Sequence, residues 1–209
     1  MATPRFQRIG ILVIALVLSF GTIGSFLAVI LSMGNQKNDQ AKAEIAFQEY
    51  QEATQKQANE LSDKYYEEFS KYADRPTAFD GSNIIEVVKN DLKVGDGEEI
   101  KDGFEYSAYY IGWNPEGVVF DQSIEVDSLR SPISGQGLIE GWTEGAEGMK
   151  LGGVREITIP SDKAYGEAGS GENIPPNTPL KFIVMAIPKV EDIPMPQVMI
   201  DYYRTMQGQ

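Results

Sequence analysis

The 209-residue chain contains no histidine and no cysteine. Cys–His and Ser–His nucleophile pairs are therefore excluded, as are thiolate and imidazole metal sites. No disulfide can form, so bridges say nothing about redox compartment. Neither a metal site nor a cofactor is expected. Basic side chains are also few: 18 Lys and Arg stand against 31 Asp and Glu, a formal net charge of -13. That balance argues against nucleic-acid binding, which needs cations to displace counterions from phosphates. Chemistry is left with carboxylates, hydroxyls, backbone donors and apolar pockets. A dinucleotide loop is excluded as well. Gly135-Gln136-Gly137 followed by Gly141 has the wrong spacing and no βαβ setting.

Charge is absent altogether between Ile9 and Met33. As a helix this stretch would reach about 37 Å, enough to cross a hydrocarbon core of about 30 Å with some tilt. It is longer than a signal-peptide apolar region, and Ala28-Val29-Ile30-Leu31 is a poor cleavage context. The sequence therefore predicts a short basic segment over 1–8 and an uncleaved single-pass membrane helix over 9–33. A cleaved signal peptide is the alternative. Arg5 and Arg8 precede the span without an acid, which favours an inside N-terminus and an extracytoplasmic C-terminal part.

Residues 34–75 read as a helical stalk or linker. Residues 35–73 lack Pro and Gly, and Leu61, Tyr65, Phe69 and Tyr72 fall on one helical stripe. The stalk is expected to serve as a spacer, or alternatively to bring two copies together as a homodimer. Arg75-Pro76 should end it. Beyond Gly81 short strands and turns take over. Phe104, Tyr106, Ala108 and Tyr110 alternate like a half-buried strand, and Ile139, Trp142, Ala146 and Met149 mark one short amphipathic helix. Strands follow over Val154–Ile159 and Leu180–Ile187. The expectation is an α+β domain over 84–190 with an antiparallel sheet. A tail over 191–209 carries Val198, Met199, Tyr202, Tyr203 and Met206 on a short amphipathic helix.

From about Ile84 to Lys189 the chain resembles the FKBP-type peptidyl-prolyl cis–trans isomerases, in a membrane-anchored bacterial-like form. The carriers are Tyr109-Tyr110-Ile111-Gly112-Trp113, Phe120-Asp121, and Leu138-Ile139-Glu140-Gly141-Trp142 with Gly148-Met149. Ala164-Tyr165-Gly166, Ile174-Pro175-Pro176-Asn177 and Leu180-Lys181-Phe182 follow in the family's order. The resemblance implies a twisted antiparallel sheet wrapped around one short helix. It implies aromatic walls from Tyr110, Phe120 and Phe182, with Trp142 as the floor under a proline ring. It also implies an apolar pair at Leu138 and Ile139, the Ile139 N–H donating to a substrate carbonyl. Tyr165 would donate its hydroxyl to another carbonyl, Asp121 would polarise the site, and Ile174 would close the rim. Three positions depart from the family's pattern: Ser170, Asn173, and the segment Leu129–Ile133, whose connection to Leu138 is short.

Such a site suits a chain without histidine or cysteine. Rotation about an amide costs about 18–20 kcal/mol through loss of C–N double-bond character, and no proton need move. A water-excluding pocket that binds the twisted amide better than the planar one is sufficient. The expected partners are proline-containing client polypeptides outside the cytoplasmic membrane. The alternative is a non-catalytic, membrane-tethered module that grips proline segments. No pocket residue lies upstream, so a fragment from residue 76 is expected to fold alone and to be active.

Overall fold

The computed structural model describes residues 37–206. The span at Ile9–Met33 lies outside the described residues. Within them, no helix is long and apolar enough to cross a membrane.

Helix α1 (Lys37–Phe69) ends in a 3-10 turn at Ser70–Tyr72. Six strands follow: β1 (Val88–Lys93), β2 (Tyr106–Trp113), β3 (Val119–Gln122), β4 (Ile133–Ser134), β5 (Val154–Ile159) and β6 (Leu180–Pro188). Helix α2 (Glu140–Ala146) lies between β4 and β5, and α3 (Gln197–Met206) closes the described chain. All pairings are antiparallel in the order β1-β5-β6-β2-β3, and β4 pairs with the first half of β2. This is the expected sheet with one short helix on it.

The chain divides into two compact units. One comprises Ala58–Val190, and among the described residues the other joins α1 up to Gln57 with the segment from Glu191 to Met206. In the latter, Gln57 Nε2 donates to the Glu191 carbonyl at 3.0 Å. The sheet unit therefore starts upstream of the sequence boundary at 84 and takes in the last turns of α1.

The reason is visible in β2, which is buried at all eight positions. Its alternate side chains feed two cores. Tyr106, Ala108 and Tyr110 join Trp142, Ala146, Ile157, Leu180, Phe182 and Val184 on the face that carries α2. Tyr109, Ile111 and Trp113 join Val154, Ile183, Met185 and Ile187 on the other face, where Phe69 is buried and Tyr65, Tyr66 and Tyr72 pack. The half-buried reading of β2 is thus corrected: Tyr65, Phe69 and Tyr72 of the predicted stripe, with Tyr66, supply the cover. Glycine allows the close approach of α2 to the sheet. A Cβ on Gly141 would stand 2.2 Å from Ile159, and one on Gly145 2.3 Å from Ile157. Buried Arg155 donates to the Gly145 and Glu147 carbonyls at 2.9 and 3.0 Å, closing the C-terminal end of α2, where a cation suits the helix dipole. Asp91 on β1 neutralises it at 2.6 Å.

Candidate active site

The α2-bearing face opens into a basin of aromatic rings. Trp142 projects from α2 and is 2% exposed. Its ring lies 5.3 Å from Phe182 on β6 and 5.8 Å from Tyr110 on β2, edge-on to both. Phe120 on β3 meets Phe182 edge-on at 5.6 Å. These edge-to-face contacts add to the burial of each ring. Gly112 makes the meeting of Phe120 and Phe182 sterically feasible, since a Cβ there would fall 2.6 and 2.7 Å from their rings. The indole N–H of Trp142 donates to the Tyr106 hydroxyl at 3.0 Å, which fixes the rotation of the indole.

The charged groups Asp121 and Arg130 are paired. Asp121 accepts from the Tyr110 hydroxyl, from Arg130 at 2.6 Å, and from the Gln122 N–H at 2.9 Å. Burial pushes the Tyr110 phenol well above its usual range, helped by the hydrogen bond to Asp121 and its negative charge. Burial alone would lower the Arg130 guanidinium, but the Asp121 carboxylate outweighs it and holds the group above its usual value. Tyr165 is half-buried against the same core, and burial together with Asp121 raises its phenol. Among the described residues its hydroxyl makes no hydrogen bond, so it remains a donor to whatever enters. Ile139 stands at the N-cap of α2, where its carbonyl accepts from Trp142 and Thr143. Its own N–H has no acceptor among the described residues. Ile174 is buried at the rim, its carbonyl taking the Ser170 N–H at 2.7 Å. Buried Asn114 holds the Asn173 carbonyl beside it at 3.0 Å.

This arrangement can enclose an apolar ring, offer two donors to flanking carbonyls, and exclude water. It contains neither histidine nor cysteine. A family model for FKBP-type peptidyl-prolyl cis-trans isomerase matches residues 96–187. An FK506-binding protein of Neisseria meningitidis is 44% identical over 109 residues, covering 50% of this chain and 93% of that protein. The chain belongs to the FKBP-type peptidyl-prolyl cis-trans isomerase family. A probable isomerase of the same type from Haemophilus influenzae is 36% identical over 147 residues, 69% of this chain and 58% of that one. A probable FK506-binding protein of Corynebacterium glutamicum is 42% identical over 101 residues, 47% of this chain and 83% of its own length. The activity is therefore prolyl isomerisation.

In this FKBP-type domain, Tyr110, Phe120, Asp121, Trp142 and Phe182 come together through direct ring contacts and hydrogen bonds. Leu138, Ile139, Ile174 and Tyr165 belong to the same core cluster at its edge. Three residues with a part in the geometry are missing from the set read in the sequence. Arg130 pairs with Asp121 across a turn, Tyr106 holds the Trp142 indole, and Gly112 lets the Phe120 and Phe182 rings touch. Arg130 falls in the segment that departs from the family's pattern, which was the available signal. Tyr106 was read only as an apolar strand position, and nothing nearby in sequence reveals its bond to a residue 36 positions on.

Proposed function

We propose that this isomerase acts on Xaa-Pro bonds of folding polypeptides on the outer side of a cytoplasmic membrane, to which Ile9–Met33 anchors it. One observation carries the site reading: edge-to-face rings meet beside Asp121 and Arg130, which neutralise each other at 2.6 Å. Trp142 takes the proline ring, with Tyr110, Phe120 and Phe182 as walls and Leu138 and Ile174 at the rim. The Ile139 N–H and the Tyr165 hydroxyl hold the carbonyls on either side of the twisting bond. Asp121, fixed by Arg130 and Tyr110, presents a constant field to the amide as its resonance is lost. Preorganised donors and dipoles of this kind favour the twisted form over the planar one. The first part of α1 then acts as the spacer between anchor and enzyme, or as a surface joining two copies.

Two measurements on the full chain in detergent or in cells test this reading. Prolyl isomerisation of an Xaa-Pro peptide should fall when Trp142 is replaced by Ala, and unchanged turnover would refute the floor assignment. Exposed Ser170, in a chain without cysteine, gives a clean label as Ser170→Cys. A membrane-impermeant maleimide should react with it in intact cells or spheroplasts. Labelling only after lysis would overturn the extracytoplasmic placement.

A further inference from the structure

The last turns of α1 touch more than the back of the sheet. Between Asp121 and Arg130 the chain makes a hairpin-like excursion, with a bridge from Ile124 to Leu129 and a bond from the Glu125 N–H to the Ser128 carbonyl at 2.9 Å. Its base is tied to β2. The Ser123 N–H donates to the Tyr110 carbonyl at 2.7 Å, the Tyr110 N–H donates to Ser123 Oγ at 2.9 Å, and the Arg130 N–H donates to the Ser123 carbonyl at 2.9 Å. Its far side is tied to the helix at two points. Ser62 Oγ accepts the Leu129 N–H at 2.8 Å, with both residues buried, and the Tyr66 hydroxyl donates to the Val126 carbonyl at 3.1 Å. The residue after Leu129 is Arg130, whose guanidinium holds Asp121 in the basin.

We infer that Ser62 is a positioning residue of the active site, acting through Leu129 and Arg130 on the Asp121 carboxylate. The buried Leu129 N–H has Ser62 as its acceptor, so loss of that oxygen leaves an unsatisfied donor and frees the backbone to move. An Arg130 shifted by such a movement no longer holds Asp121 square to Tyr110. In a preorganised site an error of this size lowers transition-state binding. The helix thereby becomes part of the catalytic scaffold, although it contributes no side chain to the basin.

The inference rests on the proposed role of Asp121, and a double-mutant cycle on the full chain separates the two. Arg130→Ala alone tests the site, and unchanged kcat/KM would sink the role of the Asp121–Arg130 pair itself. Given a loss there, Ser62→Ala should lower kcat/KM by about three- to tenfold. The same change made on top of Arg130→Ala should cost almost nothing more, since the route is already cut. Ser62→Thr, which keeps the acceptor oxygen, should restore turnover. Equal losses in both backgrounds, or a loss of stability with kcat/KM intact, would overturn the inference and leave Ser62 a structural residue only. Tyr66→Phe releases the loop tip at an exposed contact and provides a second arm if Ser62→Ala does not fold. It should lower kcat/KM only when Arg130 is present, and no effect in either background would count against the inference.

Discussion

Replacing Phe69 by Ala in the full chain should destabilise the sheet unit by about 3–5 kcal/mol, the usual cost of removing a buried Phe ring. Phe69 is 0% exposed, and its ring centroid lies 6.1 Å from Tyr109 and 6.4 Å from Tyr72. Little can collapse into the void, because Tyr109 is paired with Met185 on β6 and Ile111, Trp113 and Met185 are buried in the same cluster. Set against a typical domain stability of about 5–15 kcal/mol, the loss is a large fraction of the whole. Urea unfolding followed by tryptophan fluorescence suits the test, since Trp113 lies in the affected core. The control is Asp63→Ala at an exposed helix position, which should shift stability by no more than about 0.5 kcal/mol. The same reasoning reverses the expectation for a fragment from residue 76. Without the helix end, Tyr109, Ile111, Trp113 and Ile183 would face water together, so that fragment should not fold stably. If Phe69→Ala costs no more than Asp63→Ala, the helix is a detached spacer and the argument fails.

Tyr109 carries a buried hydroxyl with no hydrogen-bond partner among the described residues. Such a group costs about 1–3 kcal/mol, so Tyr109→Phe should raise the urea midpoint, and an unchanged or lower midpoint would mean that the hydroxyl is satisfied. Phe182→Ala should lower stability by about 3–5 kcal/mol and activity with it. Tyr165→Phe should lower kcat/KM by the worth of one hydrogen bond, about 0.5–1.5 kcal/mol, with stability nearly unchanged. Equal effects from both would mean the basin is misassigned. With no His or Cys to titrate, kcat/KM should be flat from about pH 6 to 9, and a limb near neutrality would contradict proton-free catalysis. Burial raises the phenols of Tyr106, Tyr109, Tyr110 and Tyr165. Above about pH 10 the unfolded chain therefore loses tyrosine protons that the folded one keeps, and stability should fall as pH rises in an alkaline melting series.

The ring cluster was legible because its carriers are short contiguous motifs. Tyr110-Ile111-Gly112 and Phe120-Asp121 sit on adjacent strands, paired Gly112 to Asp121, so that neighbours in motif become neighbours in space. Strand β1 left little trace because Val88–Lys93 lies on an edge and exposes five of its six positions. An apolar pattern had no reason to form there. The helix end was half legible. Its stripe could be read, but its partner could not, since Ser62 and Leu129 are 67 residues apart. One clue was nonetheless present: Tyr106–Trp113 is apolar at both odd and even positions. A strand of that kind needs a cover on each face, and α2 can supply only one.

The two faces divide the work physically. On the α2 face the packing groups are also the proposed binding groups, so changes to Trp142, Tyr110 or Phe182 should alter stability and turnover together. On the other face Phe69, Tyr109 and Trp113 support the sheet without entering the basin, and stability there can vary with the chemistry left alone. The excursion between Asp121 and Arg130 is the exception, because its hydrogen bonds reach both sides of β2. A reaction that moves no proton places its demands on geometry, and geometry is transmitted through hydrogen bonds such as the Leu129 N–H to Ser62 Oγ. Sensitivity of turnover to distant substitutions should therefore concentrate along that excursion. Elsewhere behind the sheet, substitutions should alter stability far more than the rate at which the folded enzyme turns over.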